Sequence, residues 1–123
     1  MTARSYLFLP GDSEKKLGKG ATSGSDALIL DLEDSVSPDR KAVARGMVSE
    51  YLAAHDGAKQ ELWVRMNPLA EGGLDDLVAV VRGRPYGIMV PKADHPSELV
   101  KISHLLDALE RRDGVTRPIR LLP

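Results

Sequence analysis

Cysteine is absent from the 123 residues, which removes disulfide frameworks, zinc–thiolate sites and thiol nucleophiles. Aromatic side chains are scarce: one Trp, one Phe and three Tyr are too few for the base-stacking platforms of a nucleic-acid binder. A charge excess of one sign is missing too, since 17 basic groups against 18 acidic ones leave a net charge of −1 and no basic footprint. Long apolar runs are also lacking. Ala27–Leu30 and Leu77–Val81 fall far short of the ~20 residues of a membrane helix. Met1 to Leu9 is too short and too polar for a signal peptide, so the expectation is a cytoplasmic protein with neither a membrane span nor a nucleic-acid partner.

What is present is an ordinary globular composition, 42% apolar and 28% charged. A chain of this length buries about two-thirds of its unfolded surface and needs no staple to hold a core. Short apolar runs of strand length occur at Tyr6–Leu9, Ala27–Leu30, Leu62–Met66, Gly87–Val90 and Ile119–Leu122, each followed by Pro, Gly, Asp or Asn. Helical spacing lies between them. Val43, Met47, Tyr51 and Leu52 form one stripe, Leu74, Leu77, Val78 and Val81 a second, and Leu99, Ile102, Leu105, Leu106 and Leu109 a third. Ser13 to Ser23 is a poorer helix, because Gly18 and Gly20 each cost about 1 kcal/mol relative to Ala. Ser37-Pro38-Asp39 and the segment from Asp94 to Glu98 read as helix starts, and Gly57 and Gly114 as stops.

Five strands alternating with four helical segments mean successive βα units and a parallel α/β sheet. Two architectures accommodate that pattern: an open doubly wound domain of flavodoxin-like order, which length favours, and the first half of a (β/α)₈ barrel, which closes at ~250 residues. In both, chemistry gathers at the carboxyl ends of the strands. Pro10-Gly11-Asp12 follows the first strand, with Lys15, Lys16 and Lys19 next, placed to steer a phosphate or simply to form a solvated face. Asp31-Leu32-Glu33-Asp34 ends the second, Arg65-Met66-Asn67-Pro68 the third, and Pro91-Lys92-Ala93-Asp94 the fourth.

Each of these has a bland reading beside the functional one. Asp31 can cap its turn, Glu33 face solvent and Asp34 pair with a lysine; equally, three carboxylates hold a divalent cation or orient its waters. Arg65 lies inside an apolar run and needs a partner. That partner is either Asp31 or Asp34, or else a substrate carboxylate or carbonyl gripped by the planar guanidinium. No G-K-[ST] follows the glycines, so there is no Walker P-loop, and His55, His95 and His104 show no metal-ligand spacing. Ser13, Ser35 and Ser37 lack a G-x-S-x-G context.

Four segments in order carry a family resemblance: Arg4-Ser5-Tyr6-Leu7-Phe8-Leu9-Pro10-Gly11, Ala27-Leu28-Ile29-Leu30-Asp31-Leu32-Glu33-Asp34-Ser35-Val36, Val64-Arg65-Met66-Asn67-Pro68 and Val90-Pro91-Lys92. The chain resembles the amino-terminal half of the citrate lyase β-subunit-like CoA-ester lyases of the HpcH/HpaI aldolase superfamily. The resemblance implies that residues 1–123 form the first half of a TIM (β/α)₈ barrel. It implies Mg²⁺-dependent carbon–carbon cleavage or formation in CoA thioesters such as citryl-, malyl- or citramalyl-CoA. Arg65 would contact the acyl or keto-acid oxygens, with Asp34 and neighbouring Glu33 against the metal's waters and the substrate. Phe8, Lys15 and Arg40 match CoA-lining positions, Lys19 more weakly, and Lys92 would pair with the acidic cluster. The family's direct metal ligands, a glutamate and a later aspartate, are expected beyond Pro123, leaving this chain inactive alone and seeking a complementary carboxyl-terminal half or copies of itself. Two alternatives stand beside this: a receiver-like (βα)₅ signalling domain, and a non-catalytic fragment that assembles with a partner chain.

Overall fold

The first strand, β1 (Tyr6–Pro10), runs into the short helix α1 (Glu14–Gly20), then β2 (Ala27–Asp31), α2 (Lys41–Ala54) and β3 (Glu61–Arg65). After these come α3 (Gly73–Val80), β4 (Gly87–Met89), α4 (Pro96–Asp113) and β5 (Arg120–Leu122). This computed structural model describes residues 4–55, 59–91 and 96–123. The assignments of Gly57 and Lys92, and of the helix-start residues Asp94 and His95, lie outside the described residues.

All strand pairs are parallel and the order is β1-β2-β3-β4-β5. That order decides between the two architectures. A flavodoxin-like or receiver-like sheet reverses direction and reads 2-1-3-4-5, whereas a barrel winds one way. The doubly wound alternative that length favoured, and the receiver reading with it, is therefore corrected. One-way winding with right-handed crossovers puts every helix on the same side.

The two faces of the sheet accordingly differ. Leu7, Leu9, Leu28, Leu30, Leu62, Val64 and Ile88 meet Leu17, Val48, Leu77, Val80, Ile102 and Leu106 from the helices in the main core. The other face holds a small cluster of Ala27, Ile29 and Trp63 with Tyr86 and Met89 packed against it, while Tyr6 and Phe8 are 43% and 48% exposed. Trp63 stays buried because it lies over Gly87, where any Cβ would run into its ring.

Two of the helical stripes are rotated from the sequence reading. In α2 the buried residues are Ala44, Val48, Tyr51 and Leu52, and Val43 is exposed. In α3 Asp76 is fully buried and Leu74 and Val78 turn outward, because an Arg45–Asp76 ion pair of 2.7 Å draws the carboxylate inward between α2 and α3. Ser37 precedes a 3₁₀ turn over Pro38–Arg40 rather than capping α2, and its hydroxyl bonds the Asp39 carboxylate. Gly114, at φ +67, ends α4 as expected, since that backbone region suits glycine. Among the described residues no helix is long and apolar enough to cross a membrane.

Candidate active site at the strand tips

Strand register places Pro10, Asp31, Arg65 and Met89 side by side at the carboxyl ends of β1 to β4. Side chains alternate along a strand, so Asp31 and Arg65 point to the face away from the helices, with Phe8 one layer below. Arg65 meets Asp31 through two parallel hydrogen bonds, Nε donating to Oδ1 at 2.8 Å and Nη2 to Oδ2 at 2.7 Å. Of the two structural partners the sequence left open, the structure selects Asp31. Glu33 stands 3.7 Å from Arg65 Nε, and the Phe8 ring centroid lies 4.8 Å from the guanidinium carbon, within cation–π range.

Asp31 is 1% exposed and its carboxylate is saturated. Besides Arg65, the backbone N–H of Glu33 donates to Oδ1, and both the N–H and the hydroxyl of Ser35 donate to Oδ2. Burial pushes the carboxyl up, but the hydrogen bonds from Arg65, Ser35 and Glu33 outweigh it and hold the pKa at about 2, against 3.8 ordinarily. Arg65 is raised correspondingly, first by its bonds to Asp31, against the lowering effect of burial, and further by the charges of Asp31, Glu33 and Asp34. Asp34 is exposed in the same loop and its charge reaches Arg65, so the two belong to one rim.

The loop that carries these acids is braced from below. Lys41 Nζ donates to the carbonyls of Leu32 and Glu33 at 2.9 and 2.6 Å. Asn67 donates its side-chain amide to Leu32 O and to Asp76 Oδ2, and Asp76 also takes the Asn67 N–H and Arg45 Nε. Sequence reasoning missed this network of Asn67, Asp76 and Arg45. No local signal pointed to it: the stripe of Leu74, Leu77, Val78 and Val81 puts Asp76 on the opposite face of the helix, and only the fold brings Arg45 and Asn67 against it. On the β1 side, Gly11 donates to Asp31 O at 2.8 Å and a Cβ there would meet that oxygen at 2.6 Å, so only glycine lets the two loops touch.

The remaining sequence candidates divide. Arg40 joins the β1–α1 loop through Asp12, Nε to Oδ2 at 3.0 Å, and stays half exposed beside it. Lys15 is exposed in the first turn of α1. Lys19 is in its last turn, and the adjacent Gly20 carbonyl accepts from Gln60 at the foot of β3, so Lys19 stands toward the opposite rim. A cavity of about 1270 Å³ also opens at that foot, lined by Tyr51, His55, Lys59, Arg82, Arg84 and Arg117 among others. Its cations follow the carboxyl ends of α2, α3 and α4, where helix dipoles favour positive charge, and none of the sequence-selected site residues lines it.

The acidic segment does not form a metal pocket by itself. Asp31 is saturated and Glu33 is turned to Arg65, and among the described residues no group of three His, Cys, Asp or Glu side chains is placed to hold an ion. Of the readings left open for the three carboxylates, this arrangement favours a turn-capping, arginine-pairing role for Asp31 and Glu33 over direct coordination of a cation.

Residues 4–122 match the HpcH/HpaI aldolase/citrate lyase family. An L-malyl-CoA/beta-methylmalyl-CoA lyase of Cereibacter sphaeroides is 36% identical over 120 residues, covering 94% of this chain and 38% of that protein. Citrate lyase subunit beta of Escherichia coli K12 is 37% identical over 114 residues, 92% of this chain and 38% of that one. The solved citrate lyase beta subunit complexed with oxaloacetate and magnesium from M. tuberculosis superposes with a TM-score of 0.68 at 29% identity, covering 80% of this chain and 42% of its own. Haloferax volcanii malate synthase, as a magnesium/glyoxylate complex, reaches a TM-score of 0.82 at 15% identity over 97% of this chain and 41% of its own, a likeness of fold. The chain thus spans about two-fifths of the length of these relatives. With one-way winding, an arginine held at a strand tip and this match over nearly all of its residues, the chain belongs to the HpcH/HpaI aldolase/citrate lyase family.

Proposed function

We propose that residues 1–123 form the CoA- and acyl-binding half of a Mg²⁺-dependent carbon–carbon lyase acting on CoA thioesters of hydroxy-dicarboxylic or tricarboxylic acids, of the citryl-, malyl- or citramalyl-CoA type. The observation that carries this is the Arg65 guanidinium, fixed by Asp31 at the carboxyl end of β3 with its central carbon over the Phe8 ring. A cation held this way is a preorganised partner for the oxygens of an acyl group or keto acid, where charge develops in carbon–carbon cleavage. Phe8, Lys15 and Arg40, on β1 and in the segments beside it, are assigned to the CoA moiety, and Lys19 drops to a minor role because it stands toward the other rim.

When bound, a divalent ion would supply Lewis-acid stabilisation of the negative charge that develops on oxygen. The donors of this chain do not complete its shell, so the direct ligands are assigned outside residues 1–123 and Asp34 to contact through water. By itself the chain is then a binding half without lyase turnover. Its partner is a complementary carboxyl-terminal half or further copies of the chain, which would cover the sheet face that leaves Tyr6 and Phe8 exposed.

Reconstitution tests this. Joined to a carboxyl-terminal half, the Arg65→Ala variant is expected to lose cleavage of malyl- or citryl-CoA, and unchanged turnover would remove Arg65 from the site. Mg²⁺-dependent cleavage by the purified 123-residue chain would overturn its assignment as a binding half alone.

A further inference from the structure

Resting on the acyl-site reading of Arg65, we infer that Asp31 is a positioning residue that decides which edge of the guanidinium a ligand meets. An arginine side chain carries five N–H donors: one on Nε and two on each Nη. Asp31 occupies the Nε–H and one proton of Nη2 in the side-on arrangement, at 2.8 and 2.7 Å. The donors left for a ligand are therefore the two on Nη1 and the second on Nη2; this Nη2 proton and the Nη1 proton beside it form the end-on edge, while the other Nη1 proton points back toward Cδ. Two oxygens of a planar carboxylate span that edge with parallel hydrogen bonds, as Asp31 spans the other.

Nothing about Asp31 is free to turn. Its carboxylate is tied to the backbone by the N–H groups of Glu33 and Ser35 and clamped by the Ser35 hydroxyl at 2.6 Å. Its carbonyl takes the Gly11 N–H. The Phe8 ring, its centroid 4.8 Å from the guanidinium carbon, limits movement of the arginine toward that side. A ligand carboxylate that tried to take the side-on edge would have to displace a buried anion holding five hydrogen bonds and leave its charge without the arginine. The end-on edge needs no such exchange. Ser35 becomes part of the device although it never touches Arg65: it fixes Asp31, and Asp31 fixes the arginine.

The test uses the 123-residue chain and pyruvate as a planar carboxylate probe, followed through the Arg65 side-chain ¹H–¹⁵N signals. In the free chain the Nε–H signal is expected to be ordered and slowly exchanging, and pyruvate to shift the Nη1 signals while the Nε–H signal stays in place. Asp31→Asn, which keeps the shape and loses one acceptor, is expected to mobilise the Nε–H and weaken pyruvate about 10- to 100-fold, the scale of one lost hydrogen bond to a charged group. Ser35→Ala is expected to do the same more weakly, and Ser35→Thr to restore order. A pyruvate-induced shift of Nε–H, or an Asp31→Asn chain that binds pyruvate as tightly as the parent, overturns the inference and leaves the acyl-site reading intact. No response anywhere along Arg65 sinks the acyl-site reading, and the inference falls with it.

Discussion

Asp31 and Arg65 are register partners on β2 and β3, and their side chains close two parallel hydrogen bonds within a network that leaves the aspartate 1% exposed. Two charges at neighbouring strand tips thus neutralise each other before any ligand arrives. The pair is both a weld between strands and the mount for the proposed site, and this double role makes its acid response measurable.

The folded-state pKa of Asp31 is held at about 2, below its ordinary 3.8. Folding therefore favours the ionised form, and the stabilisation is fully present above pH ~4 and lost as pH falls through about 2. It amounts to on the order of 2 kcal/mol. Urea unfolding of the parent at pH 7, 4, 3 and 2.5 is expected to show this loss, and Asp31→Asn to be less stable at pH 7 and flatter across the same window. Parallel pH profiles would refute the linkage.

Gly11→Ala puts a methyl group 2.6 Å from Asp31 O and 2.8 Å from Val48 Cγ2. The carbonyl belongs to a strand and cannot swing aside, so the β1–α1 loop must lift and loosen its 2.8 Å hydrogen bond to Asp31. A loss of about 1–3 kcal/mol is expected from the overpacking, read by urea denaturation. A neutral substitution would show that the loop moves freely.

Asp76→Ala strips Arg45 and Asn67 of a shared partner that is itself fully buried. Breaking a buried pair by deleting one member costs about 3–5 kcal/mol, a large part of a small domain's stability. Thermal unfolding is expected to shift down by well over ten degrees, with Asp76→Asn closer to the parent because it keeps an acceptor for the Asn67 N–H. Equal damage from both would assign the loss to charge alone.

The helix-free sheet face predicts association. Tyr6 and Phe8 lie exposed on it, and β1 and β5 each present an unpaired edge. Size-exclusion with light scattering at micromolar concentration is expected to give a mass above the 13.4 kDa monomer. Phe8→Ser should lower that mass toward the monomer. A parent that runs as a stable monomer would remove the oligomer expectation.

The sequence by itself determined the units. Apolar runs ending in turn residues located all five strands to within a residue or so, because a strand buried on its helix side must be apolar and must stop where the chain turns. It also named the chemistry-bearing segments, since each of the first four strands ran into ionisable groups whose type is independent of packing. What it left undetermined were relations between distant residues. Strand order, which separated a winding barrel from a doubly wound sheet, depends on which edges pair. The choice of Asp31 over Asp34 as the partner of Arg65 follows from a register that aligns residues 34 apart. The inward turn of Asp76 reverses its local pattern, because Arg45 and Asn67 repay its burial from other elements. Local propensity is written in neighbours along the chain, whereas a buried charge is settled by whichever opposite charge the folded backbone brings within reach.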